Sequence, residues 1–253
     1  MLSRIVRPTA FCAGLVGLWW LVAAVEVWPP YLFPSPGSVF EALRRNLENG
    51  LIQEAIQISF KRLAIGYAVS LCTGVTIGVL TGTVRWLDET LGRLVLGIQS
   101  LPSVTWLPLA VLWFGLNDKA IIFVVLMGSM FSVAISARDG VRNIPPLFHR
   151  AAQTMGASRL QMYRYVVAPA MLPSMVQGLK LGWSFAWRSL MAGELLFVSL
   201  GLGQLLNVGR DLNDMSMVVS IMLVIVAVGL AVDLLIFGRL EAWVRERWGL
   251  SRA

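Results

Sequence analysis

The chain has 253 residues, 57% of them hydrophobic and only 14% charged, with a mean hydropathy of +0.73. Such values exclude a soluble globular domain and indicate an integral membrane protein. The formal charge of +7 then belongs to loops that meet anionic headgroups, which is a stronger reading than nucleic-acid binding.

A hydrocarbon core about 30 Å thick needs about 20 apolar helical residues per crossing. Six windows of that length predict six transmembrane helices, at about residues 11–28, 65–84, 94–114, 120–137, 175–198 and 218–237. Arg4 and Arg7 ahead of the first window resemble the start of a secretory leader, but Pro29, Pro30 and Tyr31 after Trp28 are poor cleavage neighbours, so an uncleaved helix is expected. The next segment places Val39, Leu43 and Leu47 on one face behind Pro36 and Ser38, which predicts a short amphipathic helix at the outer interface.

In the second window Gly74, Gly78 and Gly82 recur every four residues, so one helical face is free of side chains and a neighbouring backbone can approach closely. Packing within one subunit is favoured over a dimer contact. The third window, QSLPSVTWLPLAVLWFG, contains Pro102 and Pro108. Irregular backbone is tolerated at membrane depth only where protein or water satisfies it, so this helix is expected to border a cavity, with a kinked packing helix as the competing reading.

The fifth window carries Lys180, Ser184, Trp187, Arg188, Met191 and Glu194 at spacings of three or four, a stripe on one helical face. A charge at membrane depth costs about 2.5 to 3.5 kcal/mol on insertion scales, so Arg188 and Glu194 should face a bundle interior or a water-filled path. Being six residues apart they do not face each other, and each is expected to pair with another helix or a second subunit. Lys180 can snorkel. The segment LGLGQLLNVGRDLNDMS connects the last two windows on the outside and is long enough for a short re-entrant or docking element.

With the N terminus inside, the inner segments hold thirteen of the 21 lysines and arginines and the outer ones six, which places both termini in the cytoplasm. Cys12 and Cys72 lie in apolar windows as small hydrophobes. The single histidine, His149, has no companions for a metal site. None of Lys61, Lys119 and Lys180 follows a glycine, so a Walker A phosphate loop is absent. No catalytic residue, metal or cofactor is therefore expected on this chain.

Within the basic segment 138–165, RAAQTMGASRLQMYRYVVAP places Arg150, Ala151, Ala152 and Gly156 ahead of Val166 and Pro169. That spacing resembles the cytoplasmic EAA loop of bacterial ABC importer permeases, with departures at Arg150, where the family has Glu, and Ala168, where it has Leu. Together with LFPSPGSVFEAL, SFKRLAIGYAVSLCTGVTIGVLTG, WSFAWRSLMAGELL and GLGQLL, in that order, the chain looks like the permeases of nitrate, sulfonate and taurine importers.

The resemblance implies an all-α, six-helix type I ABC importer permease of the MetI-like kind, one domain over residues 1–253, in a bacterial plasma membrane. It further implies a second permease copy, two cytoplasmic ATPase subunits that hold ATP and Mg, and an extracytoplasmic substrate-binding protein. Arg150, Ala151, Ala152, Gly156, Ala157 and Pro169 would form the coupling element that docks in the ATPase. Pro102, Trp106, Ser184, Trp187, Arg188, Met191 and Glu194 are the expected translocation pathway, and Gly74, Gly78 and Gly82 the packing face. Sulfonate or taurine leads as substrate, nitrate or bicarbonate follows, and heterocyclic vitamin precursors remain open. The rival class is a stand-alone ion-coupled secondary transporter, motivated by three ionisable groups in one span. One histidine and no paired carboxylates at depth argue against a membrane enzyme.

Overall fold

The computed structural model describes residues 2–197 and 199–249, without the side chains of residues 2–6, 8, 9 and 12. The side chain of Cys12 and the end of the fifth predicted window, Val198, lie outside what is described. Among the described residues the regular structure is helical throughout.

The first helix, α1, spans Leu2–Ala24. Ser35 caps α2, Pro36–Glu48, by accepting from the Ser38 N–H at 3.2 Å, and Pro36 supplies a preset φ at its first position. Gly50, at φ +74°, separates it from α3, Leu51–Thr83. No proline intervenes over those 33 residues. The helix therefore starts well before residue 65, and Lys61 and Arg62, expected in an outer loop, are helical.

A short α4, Arg85–Leu87, runs through a π-turn, Asp88–Gly92, into α5, Arg93–Gln99. A 3-10 turn, Ser103–Trp106, then leads into α6, Leu107–Phe114, and the two halves of this third element are bent by 101°. The break falls at Pro102, which has no N–H to continue the ladder. Asn117 caps α7, Asp118–Arg142, through the Lys119 N–H at 2.9 Å. The loop after it carries α8, Pro146–Thr154, and α9, Arg159–Met162, whose capping box joins Ser158 and Gln161. A π-turn, Tyr163–Val167, opens into α10, Ala168–Leu196. After α11, Leu202–Asp211, a continuous run comprises α12, Met215–Val232, a π-turn Asp233–Phe237 and α13, Gly238–Arg247.

Among the described residues three helices, α3, α7 and Met215–Arg247, are long and apolar enough to cross a membrane, or four if the bent pair counts as one span. The other two expected windows correspond to α1, whose described apolar stretch is Ala13–Ala24, and to α10, which is 29 residues long but carries Lys180, Arg188 and Glu194. The segment GLGQLL, expected as a connection or docking element, begins α11.

The chain divides into two compact units, Met1–Ser59 with Leu200–Ala227 and Phe60–Ser199 with Val228–Ala253. In the first, Val39, Ala42, Leu202 and Leu205 are buried. Arg45 reaches Asp214 at 3.3 Å, and the Ser59 hydroxyl accepts from the Leu202 N–H at 2.9 Å.

In the second unit α7 is the core. A Cβ on Gly74 would come within 2.7 Å of the Met130 carbonyl, one on Gly82 within 2.9 Å of Val141 Cβ, and one on Gly78 would run into the Ala134 backbone. The glycine face of α3 thus lies directly against α7 of the same chain, at a backbone separation that side chains would forbid. α10 approaches α7 as closely: a Cβ on Gly178 would run into Ser136, one on Gly182 would come within 2.7 Å of Val133 and one on Gly193 within 3.3 Å of Ile121. Trp183 and Trp187 stack at 6.1 Å, with Phe60, Tyr67 and Phe237 around Trp183 or Trp187.

Candidate translocation cavity and coupling helix

The bend between α5 and α6 opens a cavity of about 630 Å³. Its polar wall is formed by Gln99, Ser100, Ser103, Ser132 and Arg188, and Leu96, Met127, Phe131 and Phe185 supply much of the apolar wall. Local chemistry builds the bend. The Ser100 hydroxyl donates to the Gly97 carbonyl at 2.7 Å and that of Thr105 to the Pro102 carbonyl at 2.6 Å, each reinforcing a carbonyl that also accepts from the same residue's N–H, at 3.2 and 3.0 Å. Gln99 donates to the Ser132 hydroxyl at 3.2 Å across to α7. Gly128 is bare because a Cβ there would meet Ser189 and Ser103.

Of the seven residues expected to line a path, this cavity brings together two, Pro102 and Arg188. Trp106 packs instead with Val95 and Phe131, Ser184 donates to the Lys180 carbonyl, and Trp187 is buried against Trp183. Met191 is half-buried on α10. Glu194 is fully buried and held by Arg62 at 2.9 Å. The stripe does not act as one surface, since a separation of six residues rotates Arg188 and Glu194 about 120° apart and sends them to different neighbours.

Sequence reasoning missed the partners. Arg62, 4% exposed, spans from Glu194 to Asp118 at 2.8 Å and also donates to the Ser199 hydroxyl at 3.0 Å. Two carboxylates and a hydroxyl around one guanidinium are what a buried cation requires. The signal available was the unbroken helical pattern from Leu51, which carries Arg62 into the bundle. Lys180 pairs with Asp233 at 3.3 Å and Glu241 at 3.6 Å, an ionic anchorage in place of simple snorkelling. Arg188 alone of the three charges is exposed without an ion pair among the described residues, its guanidinium 5.5 Å from the Phe185 ring.

The loop between α7 and α10 is braced at its base, where Asp88 in a π-turn pairs with Arg138 at 2.6 Å and Arg142 at 2.7 Å. Within the loop α8 ends in a Schellman motif: the Ala157 N–H donates to the Ala152 carbonyl and the Gly156 N–H to that of Gln153, both at 3.0 Å. Gly156 takes φ +76° to make this turn. Ala152 is buried toward the protein's own body, whereas Arg150 and Ala151 are exposed, Ala157 is half-buried and Pro169 lies in the first turn of α10. Ala152 and Gly156 therefore have internal reasons, burial and a positive φ. Three large apolar side chains of the loop are strongly exposed, Leu147 at 71%, Leu160 at 78% and Met155 at 86%. These three were not singled out from the sequence, because an exposed hydrophobe is indistinguishable from a buried one until the helix is docked.

Residues 74–246 match the family described as binding-protein-dependent transport system inner membrane component. The taurine transport system permease protein of Escherichia coli is 29% identical over 76% of this chain and 71% of its own length. The bicarbonate transport system permease protein of Synechococcus elongatus is 29% identical over 98% of this chain and 90% of its own. In fold, the chain is similar to a structure of the inward-facing MetNI methionine ABC transporter, with a TM-score of 0.67 at 19% identity over 77% of this chain and 96% of that one. The match over residues 74–246, more than half of its length, makes this chain a member of the family of inner-membrane components of binding-protein-dependent transport systems.

Proposed function

We propose that this chain is the transmembrane subunit of an ATP-driven importer in a bacterial plasma membrane, moving a small anion delivered by an extracytoplasmic binding protein. Two copies would work with two cytoplasmic ATPase subunits, which hold the ATP and Mg. The observation that carries this reading is the apolar display of Leu147, Met155 and Leu160 on a basic loop, since exposed apolar side chains outside a bilayer call for a protein partner. ATPase closure would press on α8 and reach α7 and α10 through the segments that flank it, and differential nucleotide affinity for the two states supplies the bias.

Arg188 supports an anion. Its charge is not offset in the cavity, because Glu194 is neutralised by Arg62 elsewhere. Two relatives serve taurine and bicarbonate systems, whose solutes both carry an anionic group. A sulfonate or taurine leads and nitrate or bicarbonate follows. The stand-alone transporter was motivated by three charges in one helix, and two of these, Lys180 and Glu194, have structural partners.

The test is reconstitution with the ATPase and the binding protein. Arg188→Ala should lower solute-stimulated ATP turnover about tenfold or more while leaving assembly intact, the loss expected for one charged hydrogen bond. Normal turnover would remove Arg188 from the pathway. Transport by this chain in liposomes without ATP would overturn the importer reading.

A further inference from the structure

The run Met215–Arg247 changes character along its length. Leu230, Leu234, Leu235 and Ile236 are all more than half exposed, as befits a lipid-facing surface, and the following turns carry Arg239, Arg245 and Arg247 with Trp243, together with Glu241 and Glu246, of which Glu241 is taken up by Lys180 and Arg245. Such a switch from apolar to charged and aromatic residues, arginine in excess, marks the level of the headgroups. At that level lies a second cavity, of about 700 Å³, lined chiefly by Arg164, Pro169, Leu172, Trp243, Arg247 and Trp248.

Its chemistry is one-sided. Arg164 and Arg247 are exposed and make no ion pair among the described residues; the Arg247 guanidinium lies 5.6 Å from the Trp243 ring and that of Arg164 5.8 Å from Tyr165. No carboxylate lines the cavity. Two arginines without counter-charge beside indole rings and an apolar wall of Pro169 and Leu172 match an amphiphile with a phosphodiester head and hydrocarbon tails.

We propose that this cavity binds the headgroup of an anionic phospholipid, with Arg164 and Arg247 on the phosphate, Trp243 and Trp248 at headgroup depth, and Pro169 and Leu172 beside the acyl chain. Free inorganic phosphate would leave the apolar wall unused, and a zwitterionic choline lipid brings its own cation to a site already cationic. Trp248 also lines the groove of about 480 Å³ beneath α8, together with Phe148, Ala152 and Pro169. An occupied headgroup site therefore shares a wall with the loop that carries α8, and anionic lipid is expected to steady that loop.

Native mass spectrometry of the purified full chain, offered phosphatidylglycerol, phosphatidylcholine or inorganic phosphate, tests the site. Phosphatidylglycerol should be retained in preference to both. The Arg164→Gln/Arg247→Gln variant should lose roughly thirtyfold in apparent affinity, from about 1 kcal/mol per arginine, and Arg164→Lys/Arg247→Lys should regain most of it. Equal retention of the two lipids, or unchanged retention in the glutamine variant, would overturn the proposal. So would retention of phosphate alone, or a glutamine variant that keeps its lipid but loses a co-purifying protein, since the cavity would then serve another ligand.

Discussion

Arg62 shows how a buried charge is made tolerable and what its removal should do. Its guanidinium has two carboxylates and a hydroxyl around it, and Glu194 contributes the carboxylate that is fully buried. Truncating one partner leaves the other charge at depth, so Glu194→Ala should destabilise the chain by about 3 to 5 kcal/mol, seen as a lower thermal midpoint in detergent. The paired replacement Arg62→Met/Glu194→Leu should recover most of that loss, because well-packed apolar side chains replace a buried ion pair at little cost. Its solute-stimulated turnover should stay near the parent's, since neither residue lines the cavity at the bend; a specific loss of turnover in a stable double variant would put the pair back in the path. The glycines allow an internal control at the same scale. Gly78→Leu should abolish folded yield, because its Cβ already meets the Ala134 backbone, whereas Gly97→Leu has nothing within 4 Å and should express normally.

At the scale of the element, α8 separates two roles that the sequence pattern merged. Gly156 holds φ +76° at the end of the helix and its side-chain position faces open space, so its importance is conformational. Gly156→Ala should cost about 1 kcal/mol and be read as faster hydrogen exchange over residues 146–154, with Gly156→Asn milder because asparagine tolerates the left-handed region. Leu147→Ser with Met155→Ser should leave that exchange unchanged and weaken co-purification of the ATPase. Unchanged co-purification would remove α8 as the contact. Two of the three π-turns show the same local economy: Asp88 and Asp233 sit in them and each holds a basic side chain of another helix.

At the scale of the whole molecule, the arginine distribution predicts a topology that can be measured directly. In a background without Cys12 and Cys72, Ser158→Cys should resist a membrane-impermeant maleimide in intact cells and Asn213→Cys should react. The reverse pattern would invert the assignment and place α8 outside.

Composition, the apolar character of the long helices, the proline break at Pro102 and the basic loop were legible in the chain because each is a local property, hydropathy, a missing N–H or a run of charge, whereas the positive φ of Gly156 emerged only from the turn it closes. The length of α3 was obscured by Lys61 and Arg62, which read as loop residues when their partners are unknown. Tertiary structure decided the rest. Arg62 and Glu194 are 132 residues apart, and only the close approach of α3 and α10 to α7 brings them within 2.9 Å. Which of the α10 charges remains exposed in the cavity is therefore set by the rotation of packed helices about their axes. Periodicity along one helix reports a shared face, and the neighbours that divide that face come from elsewhere in the chain.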